Sequence, residues 1–387
     1  MFLDPLFKLM AEKQASDLFV TTGAPIQIKI NGAVMPVNSQ VLDAATARKV
    51  IYELMSETQA KDFESALEMN FALSRPEFGN FRVNIFRQRG TPSLVIRYVK
   101  GDVPSFEELK LPAVLKEIIM EKLGLIMVVG STGSGKSTTL ASMIDYRNGT
   151  RSGHILTIED PIEFQFKHKK SIVNQREVGY DTKSYEHALI SAMREAPDLL
   201  MMGEIRDMPT LKTALLFAQT GHLCLSTLHA NNSYHALNRI INFFPREQRE
   251  ALFADLAISL KAVVSQRLVK AKDGGRVPAV EVLLNTKHIS ELIKNGEVGE
   301  IKDAMEQSMA PGCQTFEQAL FQLYSAGTIT IEEALANSDS PTNLHWLISN
   351  AGQASGTSAG AALQEAAKAS TTAPDDLSSI KLNLDTV

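Results

Sequence analysis

Cysteine is nearly absent from this chain: Cys224 and Cys313 are the two among 387 residues, and they sit in unrelated contexts. A disulfide-stapled scaffold is thereby excluded, the usage fits a reducing compartment, and a zinc module built on four thiolates is excluded too. No apolar run approaches the roughly 18 residues that a membrane span needs. The N-terminus also lacks the basic and apolar regions of a secretory signal. A cytoplasmic protein is the expectation. An excess of positive charge is missing as well: 39 Lys and Arg face 44 Asp and Glu, for a net charge of −5. Nucleic acid therefore has no electrostatic footprint here, and it is not expected as a partner.

Against those absences stand a chain length that predicts two domains and an ordinary apolar content of 44%. Residues 1–100 read as a small α/β domain with an opening helix. A strand follows at Asp17-Leu18-Phe19-Val20-Thr21-Thr22. The alternating run Ile26–Ile30 meets Ala33–Val37 through an Asn31-Gly32 hairpin turn, and one or two helices follow near 43–66. Phe81–Phe86 and Ser93–Val99 read as strands paired around Arg89-Gly90. A linker is expected over 101–111, marked by Pro104 and Glu107-Glu108.

Over 112–285 strands alternate with helices, which predicts a parallel sheet covered on both faces. The strands are Leu125–Val129, His154–Ile158, Leu199–Met202 and Leu223–Leu228. Each ends in polar residues, where ligands bind in such sheets. Residues 286–350 read as helical. The tail 351–387, rich in Ala, Ser, Gly and Thr, is expected to be disordered, with Ile380, Leu382 and Leu384 as either a short docking strand or a frayed end.

Gly130-Ser131-Thr132-Gly133-Ser134-Gly135-Lys136-Ser137 fits G-x-x-x-x-G-K-[ST], the phosphate-cradling loop. Glycine lets several N–H groups converge on one point, and the helix opening at Thr138 adds its N-terminal dipole. Lys136 can reach the β- and γ-phosphates, and the Ser137 hydroxyl can ligate Mg²⁺. An apolar strand before the loop and a helix after it are not the setting of a Gly/Ser linker. A nucleoside triphosphate is the expected ligand, with Mg²⁺.

Leu199–Met202 followed by Gly203-Glu204 describes a buried strand that delivers a carboxylate to the metal and water cluster; a helix-capping Glu is the plainer reading. In Ile158-Glu159-Asp160-Pro161-Ile162-Glu163, three carboxylates crowd a strand end, which is costly unless cations compensate them. Glu163 is the candidate base for the attacking water, with a solvated acidic turn as the alternative. His222 and His229 flank the strand Leu223–Leu228. They read as neutral sensors of the γ-phosphate or as structural histidines, since a metal pair lacks a third ligand.

Together these four segments resemble the secretion-ATPase superfamily of type IV pilus and type II secretion motors: its Walker A, Asp box, Walker B and His box, in that order. Within it the chain is similar to the pilus retraction ATPase family of PilT and PilU, over roughly residues 1–345. The phrases Gly133–Ala141, Glu159–Glu163 and Ser226–Asn231 carry the likeness. The resemblance implies a PAS-like N-terminal domain on a RecA-like ATPase domain, with ATP held between them. It implies a hexameric ring that retracts pili, peripheral at the cytoplasmic face of the inner membrane and docked on a platform protein. It further implies Glu163 as catalytic base, Glu204 as the Walker B acid, and Arg82 and Arg97 as arginine fingers. From the residues alone, the two arginines read as exposed sheet-edge side chains, and only the resemblance makes them fingers.

Departures from the family pattern place the chain within it. PilT-type motors carry a segment close to A-I-R-N-L-I-R-E, where this chain has His288–Asn295, with Ser290 and Lys294 in place of the arginines. Lysine cannot reproduce a bidentate arginine contact. That favours the PilU-like branch, an accessory motor working with a PilT-type ring. Ser131 stands where the family usually has Pro. An ATP-binding scaffold with little turnover is the alternative, and the pair Glu163 and Glu204 speaks against it. A DNA-translocating ATPase would need basic pore loops, and Lys167-His168-Lys169-Lys170 reads instead as a solvated loop.

Overall fold

The computed structural model describes residues 2–30, 32–99 and 103–355. The N-terminal part runs α1 (Asp4–Glu12), β1 (Asp17–Val20), β2 (Gln27–Ile30), β3 (Ala33–Pro36), α2 (Ala44–Tyr52), α3 (Glu57–Ala66), β4 (Glu68–Arg75), β5 (Gly79–Gln88) and β6 (Thr91–Val99). Helices α2 and α3 start where side chains cap them. Asp43 accepts from Thr46 N, and Ser56 forms a reciprocal box with Gln59. The six strands form one antiparallel sheet in the order β3-β2-β1-β6-β5-β4. Asn31 lies outside the described residues, but Ile30 pairs with Ala33 across the turn it was expected to make.

Period-two alternation decides what this sheet offers. Phe81, Val83 and Ile85 point into a core with Phe7, Met10, Ile51 and Phe63, and the Phe7 and Phe81 rings lie 4.5 Å apart. The intervening Arg82 and Asn84 therefore face outward. In β6, Leu94 and Ile96 are buried, which turns Arg97 outward, directly across from Arg82 in the ladder. Strand β4 was not expected. It is an edge strand that buries only Phe71, so its sequence has no apolar run.

The second part opens with α4 (Phe106–Leu109) and α5 (Val114–Ile118). The segment expected as a linker thus carries a short helix capped by Ser105, and Phe106 is buried with its ring 5.4 Å from that of Tyr146. Next come β7 (Gly124–Val129), α6 (Lys136–Thr150), β8 (Gly153–Glu159), β9 (Ser171–Glu177), α7 (Tyr185–Ala192), β10 (Leu199–Glu204), α8 (Met208–Gln219) and β11 (Leu223–Leu228). Then follow α9 (Ser233–Asn242), α10 (Arg249–Ser259), β12 (Leu260–Lys270) and β13 (Arg276–Leu284).

The seven strands order as β13-β12-β7-β11-β10-β8-β9. Every position of β7 and β11 is buried, as befits parallel strands covered on both faces. The sheet is mixed rather than all parallel, because β13 runs antiparallel to β12. Strands β9, β12 and β13 were not expected. Helix α10 ends at Ser259 and β12 begins at Leu260, so no glycine or proline punctuates the change. The basic run before β9 is tied down rather than loose: Lys169 pairs with Asp145 at 2.7 Å, and His168 Nδ1 accepts from Val173 N.

Helices α11 (Lys287–Asn295), α12 (Ile301–Glu306), α13 (Phe316–Ser325), α14 (Ile331–Ala336) and α15 (Pro341–Ser355) complete the described residues. Phe316, Leu320, Leu344 and Ile348 form a separate core with Val269 and Ala279 of the β12–β13 pair. Helix α15 continues to Ser355, five residues into the segment expected to be disordered. Ile380, Leu382 and Leu384 lie outside the described residues. Ser290 on α11 donates to Ala257 O at 2.8 Å, and Lys294 is exposed.

Candidate active site

Strand β7 delivers the Gly130–Ser137 loop to the carboxyl end of the sheet, and Gly135 (φ +90) turns the chain into α6. Gly133 also needs a left-handed conformation (φ +79) that other residues resist. The loop is packed from behind by β12. A Cβ on Gly130 would stand 2.6 Å from the Gln266 carbonyl oxygen, and one on Gly135 would stand 2.7 Å from Gln266 Nε2. Gln266 Nε2 donates to Ser134 O at 2.8 Å, while its Oε1 accepts from Thr139 Oγ1 at 2.6 Å. The Ser134 hydroxyl is buried with no protein partner. Lys136 is buried, and its ammonium donates to the carbonyls of Gly130 (3.0 Å) and Ser131 (2.8 Å). Burial pushes this ammonium below its ordinary range, and Glu204 and Glu163 act the other way.

A cavity of about 270 Å³ opens beside the loop, lined by Thr132, Gly133, Lys136 and Ser137 on one side and by Glu163, Glu204 and His229 on the other. Four segments that are distant in sequence, the loop and the stretches carrying Glu163, Glu204 and His229, therefore converge on one cavity. Glu204, at the end of β10, accepts from Arg206 Nε at 2.8 Å and faces His229 Nε2 at 3.5 Å. Glu159 is almost fully buried, and it accepts from Thr157 (2.7 Å) and Gln175 (3.1 Å). Burial pushes its carboxyl above the usual range, which makes it a structural member of the acidic turn. The Asp160-Pro161 peptide is cis. Tyr185 closes the wall by donating to Ile158 O at 2.9 Å, and burial pushes its phenol up to about 12.

The N-terminal sheet reaches this turn. Arg82 Nη2 donates to Ile162 O at 3.1 Å, and Ile162 N donates to Glu177 at 3.0 Å. Arg82, Arg97 and Tyr98 line a small recess with Glu163 and Phe164. Burial lowers the Arg82 pKa, while Glu177 and Glu163 favour its charged form. Arg97 pairs with Asp17 at 2.9 Å and stays 62% exposed. It stands beside the cavity rather than in it.

His222 is not brought to the site. It precedes β11, whereas the cavity lies at the strand's far end, so six residues at about 3.3 Å each separate it from His229. It packs on Phe217 with ring centroids 5.3 Å apart and makes local bonds to Thr220 and the Phe217 carbonyl. Thr138 lies on the other side of the loop, where Gly135, Thr138, Leu268 and Arg276 line a recess with Lys110 and Leu111. Sequence reasoning missed Gln266, Arg206 and Tyr185. Arg206, two residues beyond Glu204, was legible as a same-face partner; Gln266 sits in a strand that went unseen.

The comparisons with known proteins accord with this geometry. A family model described as "Type II/IV secretion system protein" matches residues 1–336. The chain is 49% identical to the type IV pilus ATPase PilU of Pseudomonas aeruginosa over 90% of its own length and 91% of that protein. It is 40% identical to the type IV pilus retraction ATPase PilT of the same organism, over 89% of this chain and 100% of that one. A crystal structure of the pilus retraction motor PilT with bound ADP superposes with a TM-score of 0.83 at 42% identity, covering 88% of this chain and 98% of that one. The chain belongs to the Type II/IV secretion system protein family, as an ATPase of its type IV pilus retraction branch.

Proposed function

We propose that this chain hydrolyses ATP as a hexameric ring and assists pilus retraction beside a PilT-type motor, docked on a platform protein at the inner membrane. The observation that carries the reading is the junction of Arg82 with the Ile162-Glu163 turn, which sets cationic side chains of the N-terminal sheet against a P-loop cavity.

The residues fit a triphosphate and its metal. Lys136 has its charge met by two loop carbonyls, contacts that phosphate oxygens can replace with stronger ones. Among the described residues no group of three or more His, Cys, Asp or Glu is arranged to hold a metal ion. A Mg²⁺ ion would therefore rest on the Ser137 hydroxyl and, through water, on Glu204, with phosphates supplying the rest of its shell. Bound there, it would neutralise charge developing on the transferred phosphoryl group. The adenosine end fits the recess of Thr138, Leu268 and Arg276 behind the loop.

Glu163 accepts the proton of the attacking water, and Glu204 orients the water and metal shell. His229 donates toward the terminal phosphate from the third side. Arg82, held at Ile162 O beside Glu163, is the finger that meets the same phosphate, and Arg97 supports it from the neighbouring strand. Closing and opening of the two domains on the nucleotide then converts turnover into movement. With Ser290 and Lys294 on α11, the family's arginine pair is absent, which supports an accessory role.

Turnover per subunit, measured against protein concentration, tests this. It should rise with assembly and fall at least about a hundredfold in Glu204→Ala and about tenfold or more in Arg82→Ala. A wild type that binds ATP tightly but does not turn over at any concentration would leave the scaffold reading standing.

A further inference from the structure

The loop between β11 and α9 carries His229, and none of its neighbours hangs free. Arg239 donates to His229 O at 2.9 Å, and Arg267 Nη2 donates to Asn231 O at 3.1 Å. Asn232 Nδ2 donates to Asp339 Oδ2 at 2.7 Å, while its Oδ1 caps α9 through His235 N at 2.9 Å. Where α9 begins, the buried Glu281 accepts from Ser233 N at 2.7 Å and Ser265 Oγ at 2.9 Å.

Two of these anchors lead away from the nucleotide cavity. Asp339 lies between α14 and α15, and its other oxygen pairs with the Arg267 guanidinium. The same guanidinium donates to Asn337 O and stacks 3.9 Å from the Phe316 ring of α13. Arg267 and Asp339 are 21% and 22% exposed, so solvent screens the pair only partly. A planar fork that ties three backbone or side-chain points at once fixes position better than a flexible ammonium could.

We propose that Arg267 and Asp339 are positioning residues: they set the His229–Asn232 loop against helices α13–α15, so that this helical bundle governs how His229 meets Glu204 and the terminal phosphate. The proposal rests on the reading of the cavity as the hydrolytic site. It makes the C-terminal helices a control point for turnover, and a partner that shifts them would change kcat without touching nucleotide.

The test exchanges the ends of one hydrogen bond in the full-length protein. Asn232→Asp keeps the helix cap but turns a carboxylate toward Asp339. We expect kcat for ATP to fall about fivefold to tenfold, with KM within about twofold, because one charge-assisted bond is lost away from the substrate. Asp339→Asn alone should fall similarly. The double variant restores a donor and acceptor in reversed order, and it should recover at least half of the wild-type kcat with an unchanged melting temperature. Wild-type kcat in Asn232→Asp, or a double variant no better than the singles, overturns the proposal. So does a loss of kcat that only tracks the folded fraction. His229→Ala separates the underlying reading: if it turns over like the wild type, the loop has nothing to position and the cavity assignment fails with it.

Discussion

Glu281 has every hydrogen bond on one carboxylate oxygen, and it is buried under the start of α9. Burial pushes its carboxyl above the usual range and Asp339 adds to this, while the bonds from Ser233 and Ser265 pull the other way. A carboxyl whose folded pKa exceeds its unfolded value keeps its proton in the native chain after the unfolded chain has lost it. Its stabilising share is complete below the ordinary carboxylate range and is lost as pH rises toward the folded pKa. Urea unfolding of wild type and Glu281→Gln at pH 5 and pH 8 reads this directly. The wild type should lose ground to the variant on going to pH 8, and an offset equal at both would refute the assignment. At this scale the sequence was most legible where a residue type has one chemical use. Lys136, Ser137, Glu163 and Glu204 all line the cavity. His222 was misplaced because two histidines close in sequence stand at opposite ends of a strand.

Between elements, the P-loop and β12 form one piece through Gln266. Gln266→Leu would leave Ser134 O and Thr139 Oγ1 buried without partners, at a cost of about 1–3 kcal/mol for each. The melting temperature should drop, and KM for ATP should rise more than kcat falls. A variant with unaltered KM would mean that the loop holds its shape alone. Strand β12 was hidden in the sequence for a physical reason: α10 passes into it without a break, and both are apolar enough to continue either state. Strand β4 was hidden for the opposite reason, since an edge strand that buries one Phe leaves almost no pattern. The strands of the parallel core, β7 and β11, were legible because every position is buried and both sequences are largely apolar, with Ser226 and Thr227 the polar residues of β11.

Across the whole molecule, the apolar cores divide. One holds only residues from Leu3 to Ile96, and the others begin at Phe106. Each part thus buries its own apolar surface, as independently folding domains do. Ile85→Ala, which empties space in the first core, should cost about 2–5 kcal/mol and lower one calorimetric transition while leaving the other in place. A single transition that moves as a whole would contradict that division. The backing of the P-loop carries a consequence for biosynthesis. Gln266 follows Ser134 by 132 residues, and β12 is the strand that flanks β7 on its outer side. A growing chain finishes its N-terminal domain early, yet the side chain that braces the phosphate loop from behind arrives only once β12 has left the ribosome. All four signature segments are made by Asn231, and a nascent chain that stops there has the full vocabulary of an ATPase without a mould to hold it.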